Sequence, residues 1–315
     1  MSSKVKHKTL SFQPNILIGL EIEAEYNTEY LNYIEVADYH SERVKPFGYY
    51  FKTESDGSLS AQSFGYPVGE TAEFISIPFN IDESKKVLKD FKETFIKRLK
   101  NHRNITEKEA LKIPLQKYLS FNNTTGAHVH LSILNTDKEL IKKFTFGRRR
   151  KLEFKGEFID LKRVFTYEFM QNFKQKLKNN VNKKIPHVYT LWERSLNRGY
   201  ARAYYNKTDF KNNKDHEREK EFNLTGSNTD IEYRGFTLRG VNTWTDFFKI
   251  YEIFFKTLKT CLYAELRKTK PFNDSETLRL NDTAIKDFIN YNKVSKRTRR
   301  RKQKVYLCSQ SNEDE

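Results

Sequence analysis

Apolar and polar positions alternate along four segments of the chain: residues 16–26, 71–79, 127–134 and 230–238. That period of two predicts half-buried strands. Between them the apolar spacing lengthens to that of a helix. Residues 82–100 put Val87, Leu88, Phe91, Phe95 and Leu99 on one face, with Asp82 as the expected N-cap. Residues 158–178 do the same through Leu161, Phe165, Phe169, Phe173 and Leu177. The strongest pattern covers 244–268, where Phe247, Phe248, Tyr251, Phe254, Phe255, Leu258 and Leu262 form an aromatic-rich stripe that reads as core. A short last helix is expected over 283–292.

Strands interrupted by helices, without regular β-α-β alternation, predict an α+β fold with a mostly antiparallel sheet. Residues 207–228 are dense in Asn, Lys and Glu and read as an exposed, mobile loop. No internal repeat or Gly/Ser linker divides the chain. The expected organisation is one domain over 1–292, followed by a basic, disordered tail over 293–315.

Composition narrows the class. Apolar residues make up 37%, with 25 Phe and 18 Tyr, which is enough to build a core and argues against wholesale disorder. No apolar run approaches the roughly 18–20 residues of a membrane span. Residues 1–10 lack the apolar stretch of a signal peptide. Cys261 and Cys308 have no metal-ligand spacing and form no framework, so a reduced, cytoplasmic setting is expected. Lys and Arg outnumber Asp and Glu by 58 to 41, a net charge of +17. Such an excess first suggests nucleic acid. Eight of those positive charges, however, lie between residues 293 and 304. Nucleic acid is therefore expected only as a partner of the tail. Part of the remaining excess is Arg194, Arg198, Arg202, Arg234 and the basic cluster Gly147-Arg148-Arg149-Arg150-Lys151.

The chemistry-bearing residues sit on the predicted strands. In Gly19-Leu20-Glu21-Ile22-Glu23-Ala24-Glu25, alternation puts the three glutamates on one face and Leu20, Ile22 and Ala24 on the other. In His128-Val129-His130-Leu131-Ser132 both imidazoles share a face, after a Thr124-Thr125-Gly126 turn. Glu232 and Arg234 point the same way from a third strand. Glu73 leads into the apolar run Phe74-Ile75-Ser76-Ile77-Pro78 of a fourth. Taken singly, each also fits a solvated strand face or a surface ion pair. Taken together, they suggest one site on one sheet face. Gathered carboxylates repel unless cations neutralise them, and carboxylates with one imidazole suit Mg²⁺ or Mn²⁺ better than a structural zinc site. Two other readings stay open. One is a zinc hydrolase using His128-x-His130, although His7, His40, His102, His187 and His216 offer no further ligand-like pair. The other is a binding or structural protein that uses its basic surface.

Five motifs occur in order: Gly-Leu-Glu-Ile-Glu (19–23), Asp56-Gly57-Ser58-Leu59, Glu-Phe-Ile-Ser-Ile-Pro (73–78), Thr-Gly-Ala-His-Val-His-Leu-Ser (125–132) and Ile-Glu-Tyr-Arg-Gly-Phe (231–236). This series resembles the amidoligase family, many of whose members are phage-encoded, within the glutamine synthetase and glutamate–cysteine ligase superfamily. The resemblance spans about residues 19–240. It implies a curved, mostly antiparallel sheet with packed helices, forming a funnel for ATP and Mg²⁺, with Mn²⁺ as a substitute. The implied reaction is ATP-dependent amide formation between a carboxylate and an amine through an acyl phosphate. Glu21, Glu23, Glu73, His128 and Glu232 then correspond to metal ligands, and Arg234 to an arginine facing the phosphates. Asp56 corresponds to a ligand or to the group that handles the amine's proton. His130 is nearer to nucleotide than to metal in the family. Glu25 and Glu70 have no firm counterpart. Arg194, Arg198 and Arg202 resemble the family's arginine-bearing segment before the last motif strand; Arg194 and Arg198 are expected to bind the nucleotide, and Arg194 is the main candidate for a phosphate or substrate-carboxylate clamp. Superfamily members are often oligomeric. No Gly-x-x-x-x-Gly-Lys-Ser/Thr loop occurs, so phosphates are not held in that way.

Overall fold

The computed structural model of the chain describes residues 15–38, 45–135, 157–158, 160–192, 207–212, 220–224 and 229–268. Its elements begin with strands β1 (Asn15–Asn27), β2 (Lys45–Phe47), β3 (Phe51–Glu54), β4 (Gly69–Ser76) and β5 (Phe79–Asn80), then helices α1 (Ser84–Arg103) and α2 (Glu107–Ala110). Strands β6 (Leu119–Ser120), β7 (Ala127–Asn135) and β8 (Glu157–Phe158) follow, then α3 (Tyr167–Lys184), α4 (Pro186–Trp192) and α5 (Lys207–Asn212). The last are β9 (Phe222–Leu224), β10 (Ile231–Phe236) and α6 (Trp244–Lys268).

The strands form one ten-stranded sheet in the order β2-β3-β4-β1-β7-β10-β9, with β5 and β6 on β1 and β8 on β7. Every ladder between these strands is antiparallel. The fold is therefore α+β. Its middle strand, β1, carries the long alternation read from the sequence. Ile16, Ile18, Leu20, Ile22, Ala24 and Tyr26 are sealed on one face. Val129, Leu131 and Ile133 of β7, Ala72 and Phe74 of β4, and Ile231 and Tyr233 of β10 are buried with them.

Helices α1, α3 and α6 pack on this apolar face. Phe91 of α1 meets Phe51 and Phe74 of the sheet at ring separations of 4.9 and 5.3 Å, and stacks on Phe247 of α6 at 5.6 Å. Farther along, Tyr233 of β10 lies 5.6 Å from Phe173 of α3 and 5.5 Å from Phe254 of α6. The aromatic stripe of 244–268 is core, and α6 has the bounds its periodicity predicts.

Three readings need correction. Asp82 does not cap α1. Asn80 caps a preceding single turn (Ile81–Glu83) by accepting from the Asp82 N–H at 3.0 Å, and Asp82 lies inside that turn. The helix expected over 158–178 begins only at Tyr167, because Thr166 accepts from the Phe169 N–H and starts it there. Leu161 belongs to a separate turn that happens to be in phase. The stretch read as a loop over 207–228 contains α5 and β9, and β9 is the last strand of the sheet. The cluster 147–151, Arg194, Arg198, Arg202, the helix expected over 283–292 and the basic tail all lie outside the described residues.

Phe91 is fully buried at the junction of sheet, α1 and α6. Phe91→Ala is expected to cost about 3–5 kcal/mol of unfolding free energy, as large-to-small changes at packed aromatics do. Urea denaturation monitored by circular dichroism measures it.

Candidate metal centre

In an antiparallel ladder, directly opposed residues share a face. The register turns the four sequence motifs into a grid on the side of the sheet away from the helices. Glu23 of β1 opposes Glu73 of β4, and Glu73 opposes Glu54 of β3. Glu21 of β1 opposes His128 of β7. His130 of β7 lies between Gly19 of β1 and Glu232 of β10, and Glu232 in turn opposes Asn223 of β9. Five neighbouring strands thus deliver ionisable groups to one surface. Glu23, Glu73, His128 and Glu232 are all at most 6% exposed, so water does little to screen them.

The ligand atoms converge as two groups. Glu21, Glu73 and His128 form one, and Glu21, His130 and Glu232 form the other, with atoms within 4.8 Å of one another in each. Glu21 belongs to both and divides its oxygens between them. Its Oε2 lies 3.0 Å from His128 Nδ1, and its Oε1 lies 3.0 Å from His130 Nε2. Glu23 stands on the far side of His128, with Oε1 3.6 Å from Nε2, while its Oε2 accepts from the Gly126 N–H. Glu232 Oε1 lies 3.3 Å from His128 Nδ1 and 2.8 Å from Arg234 Nε, and its Oε2 accepts from Asn223 Nδ2 at 3.1 Å.

Asp56 sits in the turn after β3, where its Oδ1 accepts from the Ser58 N–H. It is near enough to act on Glu73. Burial, followed by the charges of Glu21, Glu23, Asp56 and Glu54, pushes the Glu73 carboxyl up to about 9. Without a cation, Glu73 is therefore protonated at neutral pH. Burial also raises Glu21, but His130 and His128 outweigh it and hold Glu21 well below the usual carboxylate range. Burial lowers His130, but Glu21 and then Asp230 outweigh it and hold its imidazole well above the usual range. The donor set thus carries excess negative charge that is relieved here by protons. A divalent cation bound there would relieve the same charge and displace those protons.

Glu25 has a different job from its neighbours on β1. It accepts backbone N–H bonds from Gln62, Ser63 and Phe64 at 3.0, 2.7 and 2.7 Å, and one from Asn122 Nδ2 at 2.8 Å. Burial raises its pKa, but these donors outweigh burial and lower it. Glu25 ties the 62–64 loop to the sheet. Three groups at the site were not picked out from the sequence. Glu54 and Asn223 lie on short strands with no readable alternation. Asp230 does alternate with Glu232 and Arg234, and that spacing was a usable signal.

No protein-family model matches this chain, and no characterised protein matches its sequence. Among the described residues, no helix is long and apolar enough to cross a membrane.

A pH dependence follows from Glu73. Its folded pKa of about 9 exceeds the ordinary 4.5, so the folded state holds a proton that the unfolded chain has lost. That contribution to stability is complete below about 4.5 and is gone above about 9. The metal-free protein is expected to lose several degrees of melting temperature as pH rises across this window. Added Mg²⁺ or Mn²⁺ is expected to restore more of it at pH 8.5 than at pH 6. Differential scanning calorimetry with and without chelator checks both.

Proposed function

We propose that this chain is an ATP-dependent carboxylate–amine ligase of the amidoligase type, whose sheet forms the floor of a glutamine synthetase-like funnel. One observation carries the reading. A single carboxylate, Glu21, is shared by two ligand groups on a face that also holds Arg234, and Asp56, in the turn after β3, is near enough to act on Glu73. The ordered motifs and an antiparallel sheet support it further. A zinc hydrolase is less well supported, because His128 and His130 fall in separate groups.

In this reading Glu21, Glu23, Glu73, His128 and Glu232 hold Mg²⁺, with Mn²⁺ as a substitute. The bound ions supply charge neutralisation for the ATP phosphates. Arg234 stands at the edge of the ligand set to meet phosphate oxygens, and Arg194 and Arg198 are assigned the same duty from the resemblance. Phosphoryl transfer demands mostly positioning and charge stabilisation, so rigid carboxylates and guanidinium groups are the parts required. The substrate carboxylate attacks the γ-phosphorus and ADP leaves. The amine then attacks the acyl carbon, phosphate leaves, and one proton is released. Asp56, in the turn beside Glu73, is the group assigned to take that proton. The resemblance sets His130 near the nucleotide, whereas its neighbours in the fold are Glu21 and Asp230. The protein is read as cytoplasmic, with nucleic acid as a partner of the basic tail only.

The test supplies Mg²⁺, ATP and pools of acids and amines. Mass spectrometry is expected to find ADP, phosphate and a product lighter than its two parents by one water. Glu23→Ala and His128→Ala should each lower turnover by at least about 100-fold, the scale seen when a main electrostatic stabiliser is removed. Unchanged nucleotide binding and turnover in both variants would sink the proposal.

A further inference from the structure

We propose that the groove between α1 and α6 is a docking site for an acidic amphipathic helix carried by a partner protein. The groove lies on the helical side of the sheet, across from the carboxylate face, so this role goes beyond the ligase reading and does not depend on it.

The groove's shape comes from the way its two walls run. Helices α1 and α6 are antiparallel: Asp82, just before α1, accepts from Lys259 Nζ late in α6, and Phe95 lies 6.1 Å from Trp244 at the start of α6. Phe91 and Phe247 stack in the seam between them. Beyond that seam the helices leave a groove of about 1140 Å³, which follows α1 from Lys85 to Lys100 and has Glu107 and Leu111 beside its Lys100 end. That stretch of α1 rises about 22 Å, which is room for about four turns of a third helix.

Its floor is apolar at helical spacing. Leu88 and Ile96 of α1 stand about 12 Å apart along the helix axis, and Phe248 and Phe255 of α6 about 10.5 Å apart. Two turns of a docked helix rise about 10.8 Å. Apolar residues at i, i+3 or i+4, and i+7 of such a helix therefore meet both rows, which is how amphipathic helices seat in apolar grooves. Phe248 is only partly buried, and Leu111 is 50% exposed, a large apolar side chain left in water at one end of the groove.

Charge sets the sign of the partner. Lys85, Lys89, Lys92, Lys97 and Lys100 flank the floor on the α1 side. Two of the acids that line the groove are already engaged, Glu93 by Lys89 at 3.2 Å and Glu252 by Lys249 at 3.5 Å. Among the described residues, no carboxylate lies within ion-pair distance of Lys85, Lys92, Lys97 or Lys100. This wall is complemented by Asp and Glu on the flank of the docked helix that faces α1. Complementary charge of this kind steers encounter and fixes orientation. Nucleic acid would use the lysines but not the apolar floor, whereas an acidic amphipathic helix uses both.

The test is fluorescence anisotropy of a labelled helical peptide of about 18 residues, with leucine at i, i+3 and i+7 and glutamate on the flanks, titrated with the full-length protein. It is expected to bind at least about tenfold tighter than a scrambled peptide of the same composition, which has no apolar face. Lys85→Glu combined with Lys97→Glu should weaken binding by about tenfold or more, and so should Leu111→Asp. Lys176→Glu combined with Lys184→Glu makes the same charge change at exposed positions of α3, outside the groove, and should weaken it by no more than about threefold. Hydrogen exchange should show protection of residues 84–111 and 248–255 in the complex. Circular dichroism melts establish that each variant is folded, and Leu111→Ser gives the reading if Leu111→Asp does not fold. The proposal is overturned if the scrambled peptide binds as tightly, or if the α3 pair costs as much as the groove pair, since the net charge of +17 would then explain the binding. It is also overturned if phosphatidylserine vesicles or duplex RNA, and not the peptide, bind in dependence on Lys85 and Lys97. Sedimentation of a dimer that Leu111→Asp splits would overturn it as well, since a second copy would then fill the groove.

Discussion

Like charges crowded onto one buried surface govern this molecule. Glu21, Glu23, Glu54, Glu73 and Glu232 occupy adjacent strands of a single face, most of them out of reach of water. A free surface would let such side chains swing apart into solvent. Here the strand register fixes their spacing, and the repulsion is met by protons, as on Glu73 and His130, or by cations. A fold that sets carboxylates this way gives up stability in exchange for affinity toward positive charge.

The opposite face of the sheet bears that cost. Leu20 and Ile22 alternate with Glu21 and Glu23, so each residue that adds to the charged surface is flanked by one buried against the helices. Phe91, Phe247 and Tyr233 knit α1, α3 and α6 to the sheet through edge-on and stacked rings. The strand carrying the site is therefore also the centre of the core. β1 is held by β7 over Asn15–Ile22 and by β4 over Glu21–Asn27, with β5 and β6 pairing further stretches of it. Around the rim, Glu25 uses its charge on backbone N–H groups to hold the 62–64 loop against the sheet.

Much of this is legible in the order of residues, for a physical reason. A long strand with one apolar face shows its period over many residues, so β1 and β7 declare both themselves and their polar face. A long aromatic helix such as α6 does the same at its own period. Short elements lack room to show a period: β2 and β3 carry Phe47 and Phe51 into the core without any readable alternation, and β9 hides in a polar stretch. Alternation also cannot distinguish neighbours on one face. Glu25 and Glu23 look equivalent along β1, and only the backbone groups that meet them separate an anchor from a candidate ligand. Leu161 and Phe165 keep helical spacing across a break that Thr166 imposes. The pairing of Asp230 with His130 depends on the crossing of two strands, β7 and β10, far apart in sequence.

Glu21 is common to two groups of side chains that could each hold a metal ion. Electron paramagnetic resonance of the protein loaded with Mn²⁺ tests it most directly, since ions roughly 3.5–4 Å apart through one carboxylate are magnetically coupled. A coupled two-ion spectrum is expected in the wild type, collapsing to that of isolated ions in Glu21→Gln. A wild-type spectrum of isolated ions alone at saturating Mn²⁺ would contradict it.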